Sequence, residues 1–285
     1  MAITAQQVNE LRKKTGAGMM DCKKALTEAD GNMEKAIEIL RKKGASVAAK
    51  RAEKSADEGM VITKISEDKK RGSIAEVNCE TDFVAKSEDF VALANEVIEA
   101  VYNDKPASVK VLLEKNSDLE NRVNEVLGKV GEKIEISRLA NEDSPDGILV
   151  DYIHMGSKLG VLIKFENVTD AADELYTLGK DIAMQVAAMN PISVVREEIS
   201  KDIIDKEIEI YKEIARKEGK PEQILQKIAT GKLNKFYQEN CLVEQTFIKD
   251  NTKTIGELIM EFNTKYKSNI KISRFYRFHL GDEKK

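Results

Sequence analysis

Apolar side chains recur at helical spacing through the amino-terminal stretch of the chain. Val8 and Leu11 share one face of a segment that Thr4, with Gln7 three positions on, is placed to cap, and Gly16-Ala17-Gly18 ends it. Cys22, Ala25 and Leu26 mark a second helix that stops near Gly31. Met33, Ala36, Ile37 and Leu40 mark a third, expected to close at Gly44. Three short helices in so short a stretch make a small bundle. The segment Lys50 to Glu58, charged and poor in apolar residues, reads as a linker or an exposed helix end.

From Gly59 the period shortens to two. Met60, Ile62 and Ile65, and then Ser73 to Cys79, predict two strands joined through the polar turn Ser66 to Gly72, with a helix following from Asp89 to Tyr102. The same succession begins again at Gly147: a strand Ile148 to Met155, a turn from Gly156 to Gly160, a strand Val161 to Glu166, and a helix Leu175 to Met189. Gly59 and Gly147 stand 88 residues apart, and so do Gly72 and Gly160. Under that offset Ala75 and Val77 fall on Ile163 and Phe165, while Ile98 and Val101 fall on Val186 and Met189. An internal duplication explains the coincidence and predicts two copies of one fold.

Two strands give each copy too little cover. The alternation Ile270, Ile272, Tyr276, Phe278, Leu280 predicts a further strand that completes the second sheet. Before it, Ile199 to Lys217, a break at Gly219-Lys220-Pro221, and Glu222 to Glu239 predict an antiparallel helical hairpin. Its first arm carries two stripes, one of Ile203, Ile210 and Ile214, the other of Ile204, Ile208, Tyr211 and Ala215. One stripe suffices for the second arm, which leaves the other for the rest of the chain, a second subunit or a partner. The expectation is an α+β protein: a three-helix bundle over residues 1–54, a first α+β unit over 55–145, and a second over 146–285 with the hairpin inserted at about 195–240.

Composition narrows the function. No run approaches the roughly 20 apolar residues of a membrane span, and Met1-Ala2-Ile3-Thr4 lacks the blocks of a signal peptide, so a cytoplasmic protein without membrane contact is expected. Cys22, Cys79 and Cys241 are too scattered for a disulfide framework or a zinc site and read as reduced thiols. His154 and His279 have no nucleophile motif beside them, and phosphate-binding glycine loops are missing. No enzyme, cofactor or metal site is expected, although an unrecognised carboxylate site stays open. Residues 1–54 carry 12 Lys/Arg against 7 Asp/Glu and the remainder 34 against 43, so the first module either faces an acidic surface or presents a solvated basic one. An RNA- or ribosome-associated binding protein is the alternative this charge supports, without an aromatic-basic recognition motif to back it.

The two copies part company where the chain leaves the second strand. The first reads Asn78-Cys79-Glu80-Thr81-Asp82-Phe83-Val84-Ala85-Lys86, the second Glu166-Asn167-Val168-Thr169-Asp170-Ala171-Ala172-Asp173-Glu174. A shared fold explains shared apolar positions but not a ring present in one copy only, so Phe83 is either a staple for the next helix or a functional group.

That segment, together with Thr15-Gly16-Ala17-Gly18-Met19-Met20-Asp21-Cys22-Lys23-Lys24-Ala25-Leu26, resembles the bacterial translation elongation factor Ts family. The stretches His154 to Leu162 and Ile182 to Pro191 extend the likeness over nearly the whole chain. The resemblance implies a ubiquitin-associated-like bundle, a duplicated core and a protruding hairpin. It also implies non-covalent guanine-nucleotide exchange on elongation factor Tu, bound both with GDP and nucleotide-free, so that GDP and Mg²⁺ leave and GTP enters. Thr81, Asp82, Phe83 and Val84 match the turn that intrudes near the partner's Mg²⁺ and phosphate site. Met19, Met20 and Lys23 match the module that docks on the nucleotide-binding domain, although both methionines would also serve as core packing. His154 and Gly156 match a segment facing the partner away from its nucleotide. A homodimer through the hairpin is one use for the apolar stripe left over on its first arm, and direct nucleic-acid contact is not expected. Some members carry a further carboxyl-terminal helix that touches the partner, and that contact stays open for a sequence whose last predicted strand is followed only by Gly281-Asp282-Glu283-Lys284-Lys285.

Overall fold

The structure is a computed structural model that describes residues 3–168 and 171–282; Met1, Ala2, Thr169, Asp170 and residues 283–285 lie outside the described residues. The bundle consists of α1 (Ala5–Thr15), α2 (Met19–Glu28) and α3 (Met33–Arg51). The first core unit follows as β1 (Glu58–Ile65), β2 (Arg71–Cys79), the single turn α4 (Asp82–Ala85), α5 (Glu88–Asp104), α6 (Val109–Lys115), α7 (Ser117–Val130) and β3 (Ile134–Asp143). The second unit has β4 (Ile148–Ile153), β5 (Leu159–Glu166) and α8 (Ala172–Met189). It continues through the hairpin arms α9 (Lys201–Lys217) and α10 (Glu222–Asn240), a small ribbon of β6 (Thr246–Phe247) and β7 (Asp250–Thr254), α11 (Ile255–Tyr266) and β8 (Lys271–His279).

Local chemistry starts the bundle as anticipated. The Thr4 hydroxyl accepts from Gln7 N at 3.2 Å, while Gln7 Oε1 accepts from Thr4 N at 3.0 Å, and Gly16 closes α1 at φ 67°. Val8, Leu11, Cys22, Ala25, Leu26 and Ala36 form its core. Gly44, however, does not end α3. The helix runs on to Arg51 because the missing side chain is used for a helix crossing: a Cβ on Gly44 would lie 2.7 Å from the Asn124 carbonyl of α7, and one on Gly128 would lie 3.3 Å from Gly44 Cα. Close approach of two backbones, not a turn, is what this glycine provides.

The duplication is visible residue by residue. Met60 pairs with Val77 in the first copy and Ile148 with Phe165 in the second, both 88 residues on. A bulge at Ser137 of β3 faces the step from Glu76 to Val77 in β2, and one at Ser273 of β8 faces the step from Lys164 to Phe165 in β5, at the same offset along β2 and β5. The third strands also correspond. Ile136 opposes Val77 and Ile272 opposes Phe165, but they are 136 residues apart, because 48 more residues, the hairpin and ribbon, intervene in the second copy. β3 escaped the sequence reading because only Ile134 and Ile136 of it are buried, which leaves too short an alternation.

Each sheet packs helices on one face. Ile62, Ala75 and Val77 meet Phe90, Leu93, Val97 and Val101 of α5, and Val150, Ile163 and Phe165 meet Leu175, Ile182 and Val186 of α8. The other faces press on each other through Val61, Ile74, Leu149 and Leu162, two pairs 88 apart. Val61 N donates to Ser157 O at 2.6 Å and Leu149 N to Lys69 O at 2.8 Å, again a pair related by one offset in donor and acceptor. The Thr63 hydroxyl donates to the carboxylate of Asp151, its own counterpart, at 2.7 Å. These reciprocal contacts define a pseudo-twofold axis between the units. They also explain the matched glycines: a Cβ on Gly72 would lie 3.0 Å from Leu149 Cδ1, and one on Gly160 would lie 2.5 Å from Val61 Cγ1.

In the hairpin, Ala215 of α9 is buried with Leu225, Ala229 and Leu233 of α10, and Ile204, Ile208 and Tyr211 are half-buried. Ile203, Ile210 and Ile214 form the exposed stripe. Among the described residues, no helix is long and apolar enough to cross a membrane.

Candidate functional site

Strand β2 is buried almost throughout, and the chain emerges from it at Glu80 into a sharp turn. Thr81 caps α4, its hydroxyl accepting from Val84 N at 3.4 Å. Over that single turn the four residues separate by direction. Val84 and Ala85 pack inward on the core beneath α5, whereas Phe83 stands out with 83% of its surface exposed. Asp82 pairs with Lys86 at 2.7 Å; that hydrogen bond first, and the charge of Lys158 in addition, holds its carboxyl below the usual range.

The turn is tied from outside. Thr81 N and Thr81 Oγ1 donate to the two carboxylate oxygens of Glu132, at 3.0 and 2.8 Å. Its neighbour Glu80 accepts both from Arg51 Nη1, at 2.6 and 2.8 Å, and from Lys133 N at 2.6 Å. Burial works against the charge on Glu80, yet Lys133 N and the Arg51 guanidinium outweigh it and hold its carboxyl below the usual range. None of Arg51, Glu132 and Lys133 was singled out from the sequence. Only the position of Glu132 just after the left-handed Gly131, at φ 74°, hinted that it sits at a tight corner.

The other predicted residues occupy two further surfaces. Met19 and Met20 open α2 with 51% and 64% exposure, and Lys23 is exposed beside them, while Cys22, Ala25 and Leu26 face inward. Core packing is thereby excluded for both methionines. His154 lies on the exposed turn after β4, its Nδ1 2.8 Å from the Tyr152 hydroxyl, and Gly156 follows at φ 90°. Between them Met155 is 92% exposed. The sequence reading did not single it out, since nothing in the local sequence separates a methionine exposed on a turn from one that fills a gap in the core. The structure brings this turn beside the Phe83 turn: Lys158 pairs with Glu58 at 2.6 Å and its charge reaches Asp82.

Burial raises all three thiols, Cys79 up to about 12, so they are protonated at neutral pH. Among the described residues, no three or more His, Cys, Asp or Glu side chains are grouped to hold a metal. Phe83, Met155, Met19 and Met20 are large apolar side chains exposed to water.

A family model described as Elongation factor TS matches residues 80–282. The elongation factor Ts of Chlorobaculum parvum is 47% identical over 286 residues, covering 98% of this chain and 99% of that protein. Those of Chlorobaculum tepidum and of Clostridium botulinum strain Alaska E43 are 46% and 45% identical over 98% of this chain, covering 99% and 93% of their own lengths.

Proposed function

This chain belongs to the elongation factor Ts family of nucleotide exchange factors in translation elongation, and we propose that it releases GDP and Mg²⁺ from elongation factor Tu by inserting Phe83. One observation carries this reading: an exposed aromatic ring on a turn fastened from outside, in one copy of a duplicated unit and not in the other.

The energetics are those of linkage. A protein that binds the empty partner more tightly than the GDP-bound one weakens GDP binding by the same factor. Each tenfold loosening needs about 1.4 kcal/mol of differential binding. Full burial of a large apolar side chain supplies roughly 1.5 to 3 kcal/mol, and Phe83 has nearly all of that available because it starts in water. Asp82 adds negative charge on the same turn, where phosphate and Mg²⁺ ligands would feel it. Met19, Met20 and Lys23 provide a second contact surface, and His154, Met155 and Gly156 a third. No bond is made or broken, so the final GDP/GTP ratio is unchanged. A pairing of two copies through the exposed Ile203, Ile210 and Ile214 of the hairpin is a separate matter.

Release of labelled GDP from elongation factor Tu tests the reading. The wild-type protein should accelerate release, and Phe83→Ala should slow the accelerated rate by about tenfold or more with an unchanged thermal midpoint. A buried Phe would lose about 3 to 5 kcal/mol of stability on the same truncation. Well-folded Phe83→Ala protein that exchanges at the wild-type rate removes Phe83 from the mechanism.

A further inference from the structure

A helix of one turn cannot hold itself, since it fixes several dihedrals for very few hydrogen bonds. In α4 the bonds are Ala85 N to Thr81 O at 3.1 Å, Ser87 N to Val84 O at 2.9 Å, and the long cap from Val84 N to the Thr81 hydroxyl at 3.4 Å. Phe83 is nonetheless presented on this turn in water. Some other group must set its direction.

We propose that Glu132 is the positioning residue for Phe83, acting through Thr81; the inference rests on the exchange reading given above. The Glu132 carboxylate accepts from both donors that Thr81 has, the backbone N–H and the hydroxyl. Because the hydroxyl proton is committed to Glu132 at 2.8 Å, a hydroxyl lone pair is left facing Val84 N, so the carboxylate sets the rotor that caps the turn. Both bonds are charge-assisted and therefore stronger than ordinary neutral ones. Next to them, Lys133 N and Arg51 fasten Glu80. Two consecutive residues leaving β2 are thus locked to two consecutive residues entering β3, just past the last ladder pair, Cys79 with Ile134.

The second copy shows that the fold does not require this lock. Its position equivalent to Glu132, 136 residues on, is Ser268, and the correspondence is secure because the preceding Gly131 and Lys267 both adopt the left-handed conformation, at φ 74° and 52°. The Ser268 hydroxyl turns back to Asn263 Oδ1 at 2.9 Å within its own loop. The equivalent of Glu80 is Val168, which has no carboxylate. The second copy builds the same three-stranded sheet with the same bulge and lacks both carboxylates. The clamp accompanies the exposed ring, not the sheet. A pre-ordered turn spares the ordering cost at the moment of binding, which is the general benefit of preorganisation.

The test combines two measurements on the full-length protein. Backbone amide order parameters for Asp82 and Phe83 in the free protein should fall from rigid values near ~0.85 in the wild type to below ~0.6 in Glu132→Ala, while β1 and β2 amides stay unchanged. Exchange on elongation factor Tu should slow about tenfold in Glu132→Ala, with no further slowing when Glu132→Ala is added to Phe83→Ala, because a residue that acts through the ring has nothing left to position. A rigid turn in Glu132→Ala overturns the proposal. So does an equal slowing in both backgrounds, which would place Glu132 in general stability or in a contact of its own. Should Glu132→Ala fail to fold, Glu132→Gln, which keeps the shape and one acceptor, is read by the same two criteria with a smaller expected change. If Phe83→Ala itself exchanges at the wild-type rate, the exchange reading fails, and the order parameters still decide whether Glu132 holds the turn.

Discussion

The two copies of the core agree in places where agreement is costly and differ at one place where difference is informative. Their strands keep one register, their bulges fall at one offset, and their opening glycines both sit over the carbonyl of the opposing strand, Gly59 over Val77 and Gly147 over Phe165. Beyond β2 and β5 the chain paths separate. The first copy goes straight into a capped turn that exposes Phe83, whereas the second passes through left-handed residues at Asn167 and Ala171, and Ala171 holds the place of Phe83. Sheet, bulge and interface thus form a scaffold common to both units, and the exposed ring and its tie were built on one of them.

The comparison breaks most visibly at the opening glycines. A Cβ at either position would collide with a backbone carbonyl that cannot move without breaking the sheet, so Gly59→Ala and Gly147→Ala should each lose about 3 kcal/mol in urea unfolding. If one substitution is tolerated and the other is not, the two units are less equivalent than their registers imply.

A smaller effect separates the copies by pH. Cys79 ends β2 where the second copy has Asn167, and burial, with the Glu132 charge in support, pushes its thiol from 9.0 up to about 12. The folded protein then keeps this proton while the unfolded chain releases it, so stability falls as the pH rises from about 9 towards about 12. Between pH 7 and 10 the loss due to this group should be about 1 kcal/mol. Cys79→Ala, less stable at neutral pH for its lost packing, should show an alkaline decline shallower by that amount; parallel declines would show that the thiol is not the source.

The mildest change sharpens the comparison from the other side. Ala171 is held at φ 58°, which suits glycine better than any residue with a side chain, so Ala171→Gly should stabilise the protein by about 0.5 kcal/mol. A loss of stability would mean that the apolar contact of Ala171 with the second core outweighs its backbone strain.

Much of the fold was legible in the sequence because its cues are local. The Thr4 and Gln7 cap, the helical spacing of Val8, Leu11, Ala25 and Leu26, and the break at Gly219-Lys220-Pro221 each act within a few residues. The duplication was legible because an offset needs only comparison along the chain, and comparison also exposed Phe83 as the ring without a counterpart. The candidate site was legible only in part: the ring could be named and expected on an exposed turn, but not the groups that tie that turn down, Arg51, Glu132 and Lys133, nor the 92% exposure of Met155 on the neighbouring turn.

By itself, then, the sequence determined the three-helix bundle, the long helices α5 and α8, the repeat, the hairpin and the asymmetry between the copies, but not α6, α7 or α11, since propensity, periodicity and offset are properties of a one-dimensional string. Tertiary structure alone decided what Gly44 does, since a helix crossing with α7 and a helix stop call for the same residue. It decided that Gly72 and Gly160 serve a pseudo-twofold contact, since Leu149 and Val61 are brought to them only when the sheets meet. It decided as well that Glu132 grips Thr81 across 51 residues of chain. A hydrogen bond that depends on direction within tens of degrees and distance within tenths of an ångström leaves no trace in sequence spacing until the intervening helices have packed.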